Sequence, residues 1–250
     1  MIASTSYLLS LDILAVNSFD MANSKTMLAI QNNAEWCLRI WQCHGLRTFQ
    51  EKNLWFCPAD VPAFYPNLIT MRQGVADITG EIAKARTEYA SQNFSVKDSF
   101  AETDLQELNL HRLFDANWLF LSPGHNKLPA SNLDWAPITS DFELGIWETH
   151  WDAREGGCKS IFLPALLADP SVKFLAGRLE GNIEAGFITN ITGPVVGVSS
   201  TFGMYEDCIA HAAFQFPNYS IVSYENVETV SEATSQGFEI TGDLAVWVTL

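Results

Sequence analysis

Asp207 and His211 have the spacing of a catalytic pair, because they lie four residues apart in a segment whose apolar pattern predicts a helix. A carboxylate one turn from an imidazole can orient the ring as a general base near neutral pH. The same spacing also occurs in solvated pairs on helix surfaces, and that interpretation is the commoner one. The other histidines stand apart from one another, without the spacing of metal ligands, and predict no metal site: His44, His111, His125 and His150.

The usual signatures of nucleotide binding and hydrolysis are absent from the sequence. It contains no Gly-x-Gly-x-x-Gly, no phosphate loop with its lysine, no Gly-x-Ser-x-Gly and no His-Glu-x-x-His. A hydrolase or a metal enzyme therefore has no support from motifs.

The most specific pattern runs from Tyr224 to Phe238. Asn226 follows a predicted strand, and Gly237-Phe238 comes eleven residues after Asn226. Asn favours a helix N-cap, Gly favours a left-handed stop, and the following Phe can hold the helix on a sheet. This spacing predicts a short helix over residues 227–236.

The elements around this pattern alternate in a definite order from residue 133 onwards. A strand is followed by a helix that the capping box Ser140–Glu143 opens. Three strands come next, then a helix, a strand, a helix and a final strand, and turn residues separate them. We predict the three strands at residues 173–179, 182–192 and 195–202. The helix after them is predicted at residues 205–216, and the two later strands at residues 219–224 and 244–248.

The local signals for helices and strands are weaker in residues 1–125. A helix over residues 33–43 ends before Gly45, another covers residues 75–91, and residues 54–56, 67–71, 95–100 and 117–121 read as strands. Asn93-Phe-Ser-Val resembles Asn218-Tyr-Ser-Ile, at an offset that fits a tandem duplication. With a linker predicted at residues 122–131, we expect two related halves, residues 1–125 and 126–250.

This order of elements, together with the spacing of Asn226 and Gly237-Phe238, resembles the GNAT-type N-acetyltransferases over residues 133–250. The resemblance implies an α/β (α+β) fold with a mixed, mostly antiparallel sheet flanked by helices. It also implies acetyl-CoA as cofactor, bound between two splayed parallel strands with its pantetheine arm on the strand at residues 195–202. The implied cofactor-binding residues are Val198, Ser199, Ser200, Thr201, Gly203 and Asn226.

The chain departs from that pattern where the CoA pyrophosphate should bind. The loop within Thr201–Cys208 contains one glycine, Gly203, and no Arg, Lys or Gln that could bind a phosphate. Glu206 and Asp207 instead fall in the first turn of the predicted helix. One like-charge pair at 4 Å costs about 4 kcal/mol at an effective dielectric constant near 20. We therefore expect acetyl-CoA to bind weakly or not at all.

The catalytic groups depart from the pattern as well. The family's tyrosine, which protonates the departing thiolate, would fall at Ala233 here; Tyr224 or Tyr205 could substitute, although a packed aromatic with a satisfied hydroxyl is the simpler interpretation of each. For the base that deprotonates the amine, the resemblance points to Glu184 or Glu180, although solvated carboxylates are the simpler interpretation. Tyr224 and Glu184 are the predicted catalytic pair.

Charge limits the partners. The formal net charge is −15, and residues 126–250 carry 5 basic and 16 acidic side chains, a balance of −11. Nucleic acids and anionic membranes are therefore disfavoured as partners, and a cationic amine is favoured as acyl acceptor. Five cysteines without a Cys-x-x-Cys pair, no apolar run of eighteen residues and no basic leader predict a cytoplasmic protein with reduced thiols.

Two functions remain open at this point. One is an acyl-CoA-dependent N-acyltransferase with an atypical phosphate loop, acting on an unknown amine. The other is a non-catalytic module of the same fold that binds a small molecule or a protein partner.

Overall fold

The computed structural model describes residues 5–87, 93–124, 132–152 and 160–249, with side chains from residue 24 onwards. Within these ranges the chain forms the helices α1 Thr5–Cys43, α2 Ile78–Thr87, α3 Asp141–Trp151, α4 Tyr205–Gln215 and α5 Val230–Ser235. The strands are β1 Phe49–Gln50, β2 Leu54–Phe56, β3 Leu68–Thr70, β4 Ser95–Asp98, β5 His111–Leu121, β6 Asp134–Pro137, β7 Val172–Leu179, β8 Asn182–Thr192, β9 Val195–Phe202, β10 Ser220–Asn226 and β11 Glu239–Val248.

The described strands form one sheet in the order β1-β2-β3-β4-β11-β5-β10-β9-β8-β7-β6. Only the pairs β3–β4 and β9–β10 are parallel, and the other neighbours are antiparallel. The predicted class, a mixed and mostly antiparallel sheet flanked by helices, is confirmed. β7, β8 and β9 lie within one residue of their predicted bounds because Gly181 and Gly193-Pro194 mark the turns between them.

Alternation along each strand divides the core between the two faces of the sheet. Trp118 and Val222 pack with Cys37 and Trp41 of α1 on one face. Their strand neighbours Leu119, Leu121 and Ile221 pack on the other face, against apolar residues of α4 and α5. The helix α3 shares the α1 face, where Trp147 packs in a cluster with residues of α1, β7 and β8.

The helix α1 is far longer than the predicted helix over residues 33–43, and it begins at Thr5. The buried residues Ala29 and Ile30 extend the apolar stripe of Cys37 and Trp41 towards the N-terminus. At the other end Gly45 adopts a φ of 69°, and Leu46 N–H donates to the Trp41 carbonyl, as expected for a helix stop.

Asn226 does not cap α5, so that prediction is wrong. Its backbone pairs with Ala116 of β5, which keeps residue 226 extended as the last residue of β10. Its Oδ1 accepts a hydrogen bond from Glu228 N–H at 3.0 Å, and α5 begins only after Thr229. The end of the helix is as predicted, with Gly237 at a φ of 92° and Phe238 buried.

One sheet crosses the predicted boundary between the halves, because β11 lies between β4 and β5. Whether residues 1–125 and 126–250 are related copies stays a prediction. Residues 125–131 of the predicted linker lie outside the described residues.

Among the described residues, no helix offers an apolar stretch long enough to cross a bilayer. The same residues contain no group of three or more His, Cys, Asp or Glu side chains that could hold a metal ion. The described cysteines are free thiols: Cys37, Cys43, Cys57 and Cys208.

Candidate functional site

The parallel strands β9 and β10 separate soon after they meet. They are paired only at Val195–Ser220, Val196–Ile221 and Gly197–Val222. Beyond these pairs β9 stays bonded to β8 and β10 stays bonded to β5, so a gap opens between them. The backbone groups of Val198–Thr201 that face this gap have no strand partner. This is the splay that the resemblance predicts.

A bulge in β9 bends the strand at the gap. Ser199 pairs with Ile188 and Phe202 pairs with Gly186, so Ser200 and Thr201 together oppose the single residue Phe187. Ser200 has a φ of 52°, an uncommon value for a residue with a side chain. The bulge therefore changes the direction of the backbone where it faces the gap.

A cavity of about 290 Å³ lies at the gap and extends under α1. It brings together several residues that the sequence singled out: Val198, Ser199, Ser200, Thr201 and Tyr224. Its remaining walls include Asn33, Trp36 and Cys37 of α1, Lys97 of β4 and Glu225 of β10. This volume is at the lower end of the range for small-molecule pockets.

Three predicted site residues lie elsewhere. Glu184 is exposed on β8, outside this cavity, so the structure does not bring it together with Tyr224. Gly203 is exposed in the turn before α4, at a φ of 78°, where a Cβ atom would lie 2.4 Å from the Glu184 carbonyl oxygen. Asn226 ends β10 beyond the cavity lining. The roles predicted for these residues remain predictions.

Tyr224 is held on the α1 face of the sheet. Its ring packs edge-on against Trp118, with 5.6 Å between the ring centroids. The Nζ of Lys97 lies 4.3 Å from the centroid of the Tyr224 ring, a cation–π distance. The tyrosine is therefore fixed by packing while it lines the cavity.

Lys97 is a site residue that sequence reasoning missed. Its side chain is buried, with 4% of the residue exposed, and Nζ donates to Asn33 Oδ1 at 2.8 Å. The only sequence signal is alternation in β4, which turns Val96 towards the α2 cluster and Lys97 towards α1.

Glu225 is the second missed residue. Burial, and then the negative charge of Glu232, raise the pKa of its carboxyl group to about 7. The buried hydroxyl of Tyr205 has no hydrogen-bond partner, and burial together with Glu225 and Glu232 raises its pKa. The α4 side of the gap is therefore acidic.

The helix α4 begins where the CoA pyrophosphate is expected, and its first turn carries Glu206 and Asp207. Met204 at the N-cap supplies no side-chain hydrogen bond. Acyl-CoA thus fits in part: an extended pantetheine arm suits the unpaired edge of β9. The nucleotide phosphates do not fit the acidic helix end.

Asp207 and His211 do not form the catalytic pair that their spacing allows. The His211 ring stacks on Trp135 at a centroid distance of 4.8 Å, and its Nε2 has no hydrogen-bond partner. Burial lowers the pKa of His211 to about 4. The ring is therefore a neutral packing group at pH 7.

No family model matches the sequence, and no curated protein matches it either. Solved structures do match the fold. A GCN5-related N-acetyltransferase from Kribbella flavida superimposes with a TM-score of 0.65 at 14% identity, over 90% of this chain and 95% of that chain. A functionally unknown conserved protein from Staphylococcus epidermidis gives a TM-score of 0.58 at 10% identity, over 82% and 94%. The splayed strands and the first of these superpositions show that the chain shares its fold with a GCN5-related N-acetyltransferase.

Proposed function

We propose that this protein is an N-acyltransferase that uses a pantetheine-type thioester as acyl donor and a small amine as acceptor. One observation carries the proposal: the unpaired backbone edge of β9, Val198–Thr201, faces a cavity that Tyr224 and Glu225 also line. A splay without function would leave polar backbone groups of a central sheet without strand partners, which is costly.

The donor would bind mainly through its pantetheine arm. The amide groups of the arm can pair with the free edge of β9 as an added strand does. The acidic first turn of α4 opposes the pyrophosphate, since Glu206 and Asp207 already complement the helix dipole. We therefore expect the nucleotide part of CoA to contribute little affinity or to weaken binding.

Two cavity residues match the proton transfers that aminolysis of a thioester requires. The amine nitrogen forms a bond to the acyl carbon, the carbon–sulfur bond breaks, and the nitrogen loses a proton. Glu225, with its pKa near 7, would accept the proton from the amine. The hydroxyl of Tyr224 would donate a proton to the departing thiolate, and exchange with water restores both groups.

A second candidate is a binding module of this fold without catalysis. The acids at the start of α4 and Ala233 at the position of the family's tyrosine favour it. Such a module would keep the cavity as a ligand site and transfer no acyl group.

Thiol release separates the two candidates. Purified protein is incubated with S-acetylpantetheine or acetyl-CoA and one of three acceptors, L-phenylalanine, L-phenylalaninamide or spermidine. We expect acceptor-dependent release, with a KM for S-acetylpantetheine no higher than that for acetyl-CoA. No release with any combination would support the binding module, and low-micromolar binding of acetyl-CoA alone would show that the phosphates are recognised after all.

A further inference from the structure

Lys97 is a buried cation that faces the cavity without a carboxylate partner. The ion pairs of the described residues involve other cations, namely Lys25, Arg39, Arg112 and Arg178. An ammonium group has three donors, and the Asn33 side chain accepts only one of them.

The groups around Lys97 are neutral. Burial raises the pKa of the Cys37 thiol despite the attraction of Lys97, and burial also raises the pKa of the Tyr65 hydroxyl, so both stay protonated at pH 7. Glu225 shares the cavity but is not within ion-pair distance of Lys97. A buried charge with only neutral partners is costly unless a counterion is supplied from outside the chain.

Aromatic side chains line the cavity that this cation faces. Trp36, Tyr65, Trp118 and Tyr224 all line the cavity, and Trp36 Nε1 donates to the Tyr65 hydroxyl at 3.0 Å. Such walls suit a small apolar body, while Lys97 suits an anionic head group. The cavity therefore carries a local positive charge at Lys97, although the acidic balance of residues 126–250 predicts a cationic acceptor.

We propose that Lys97 binds the carboxylate of a small acceptor that carries both an amino group and a carboxylate, such as an amino acid with an apolar side chain. The amino half of this proposal rests on the acyl transfer proposed above. The carboxylate half depends on the cavity and Lys97 alone, so it can be tested by binding without any donor.

The binding test uses a matched pair of probes that lack an amino group, 3-phenylpropionate and 3-phenylpropionamide. Trp36 and Trp118 line the cavity, so tryptophan emission reports occupancy. We expect the wild-type protein to bind the acid at least about tenfold more tightly than the amide, as one charge-assisted contact would produce. Lys97→Met should abolish this preference, and Lys97→Arg should retain most of it. Lys173→Met, which removes an exposed lysine on β7, should leave the preference unchanged.

Asn33→Asp is the second variant, in case Lys97→Met does not fold. It keeps the lysine and places a carboxylate on the residue that already contacts Nζ, so it should neutralise the site and remove the preference. Equal binding of the two probes by the wild-type protein would overturn the proposal. So would a preference that survives in both Lys97→Met and Asn33→Asp.

Transfer assays then distinguish this proposal from the acyltransferase proposal. If the protein prefers 3-phenylpropionate but transfers no acetyl group, the result supports the anion site at Lys97 and contradicts the proposed acyl transfer. If the protein acetylates L-phenylalaninamide as readily as L-phenylalanine and binds both probes equally, the result supports the acyl transfer and contradicts the anion site at Lys97.

Discussion

Asn32 and Asn190 exchange hydrogen bonds between α1 and β8: each side-chain amide donates to the backbone carbonyl of the other, at 2.9 Å and 3.1 Å. Both residues are buried. The pair lies against Gly197, where a Cβ atom would be 2.0 Å from Asn32 Oδ1 and 2.6 Å from Asn190 Oδ1. Since Gly197 belongs to the last pair of β9 with β10, this contact fixes α1 on the sheet at the point where the gap opens.

Gly197→Ala should therefore destabilise the protein. The added methyl group would displace a buried, reciprocal hydrogen-bonded pair, and we expect the free energy of unfolding to fall by about 1–3 kcal/mol. Urea denaturation measures this change. Gly145→Ala is the matched control, because Gly145 is exposed in α3 with nothing within 4 Å of the added carbon, and it should stabilise by about 0.5–1 kcal/mol. Equal effects of the two variants would contradict the close contact at Gly197.

Glu225→Gln should remove the acid limb of the pH–rate profile. In the wild-type protein the rate of acyl transfer should rise with pH through about 7, as Glu225 loses its proton and becomes able to accept one. We expect kcat to fall by about 10²–10⁴ in the variant, with no inflection near pH 7. Glu184→Gln serves as the comparison, and a larger loss there would restore Glu184 as the base.

The same carboxyl group predicts a pH dependence of stability. The pKa of Glu225 rises from 4.5 to about 7 on folding, so the folded state holds more protons between these values, and the free energy of unfolding contributed by Glu225 falls as pH rises. The loss is complete above pH 7 and amounts to about 3 kcal/mol. Glu225→Gln should thus be more stable than the wild-type protein at pH 8 and similar at pH 4, as urea denaturation at both values would show.

Tyr224→Phe tests the proposed proton donor. Loss of the hydroxyl should lower kcat by about 10²-fold or more while the packing on Trp118 and the thermal midpoint stay nearly unchanged. A donor with a more acidic leaving thiol, such as a thiophenyl ester, needs less protonation and should recover much of the rate. Tyr205→Phe is the control, and a larger effect there would reassign the donor.

Glu206→Lys should strengthen acetyl-CoA binding, because it replaces a repulsive charge in the first turn of α4 by an attractive one. The affinity for S-acetylpantetheine should not change, since that donor lacks the nucleotide phosphates. Isothermal titration with both donors measures the difference. Glu107→Lys makes the same change in net charge at an exposed position that forms no ion pair among the described residues, and it should leave both affinities unchanged.

The sequence predicted the elements well wherever local signals decide them. The Gly237-Phe238 stop and the turns around β8 are examples, because glycine conformation and strand alternation act over a few residues. Asn226 shows the limit, since its pairing with Ala116, which is 110 positions away in the chain, overrode the local capping preference. The cavity could not be predicted for the same reason. Asn33 and Lys97 are separated by 64 residues, and only the order of strands in the sheet brings them to Tyr224.

The position of β11 has a consequence for folding kinetics. β11 bonds to β4 on one side and to β5 on the other, so the strands encoded before β5 can join the rest of the sheet only after residues 239–248 have been synthesised. Pairings between such distant segments carry a large loop-closure entropy and fold slowly. During translation the ribosome-bound chain would therefore expose the unpaired backbone edge of β5, which is a site for non-native strand pairing and aggregation until β11 is synthesised.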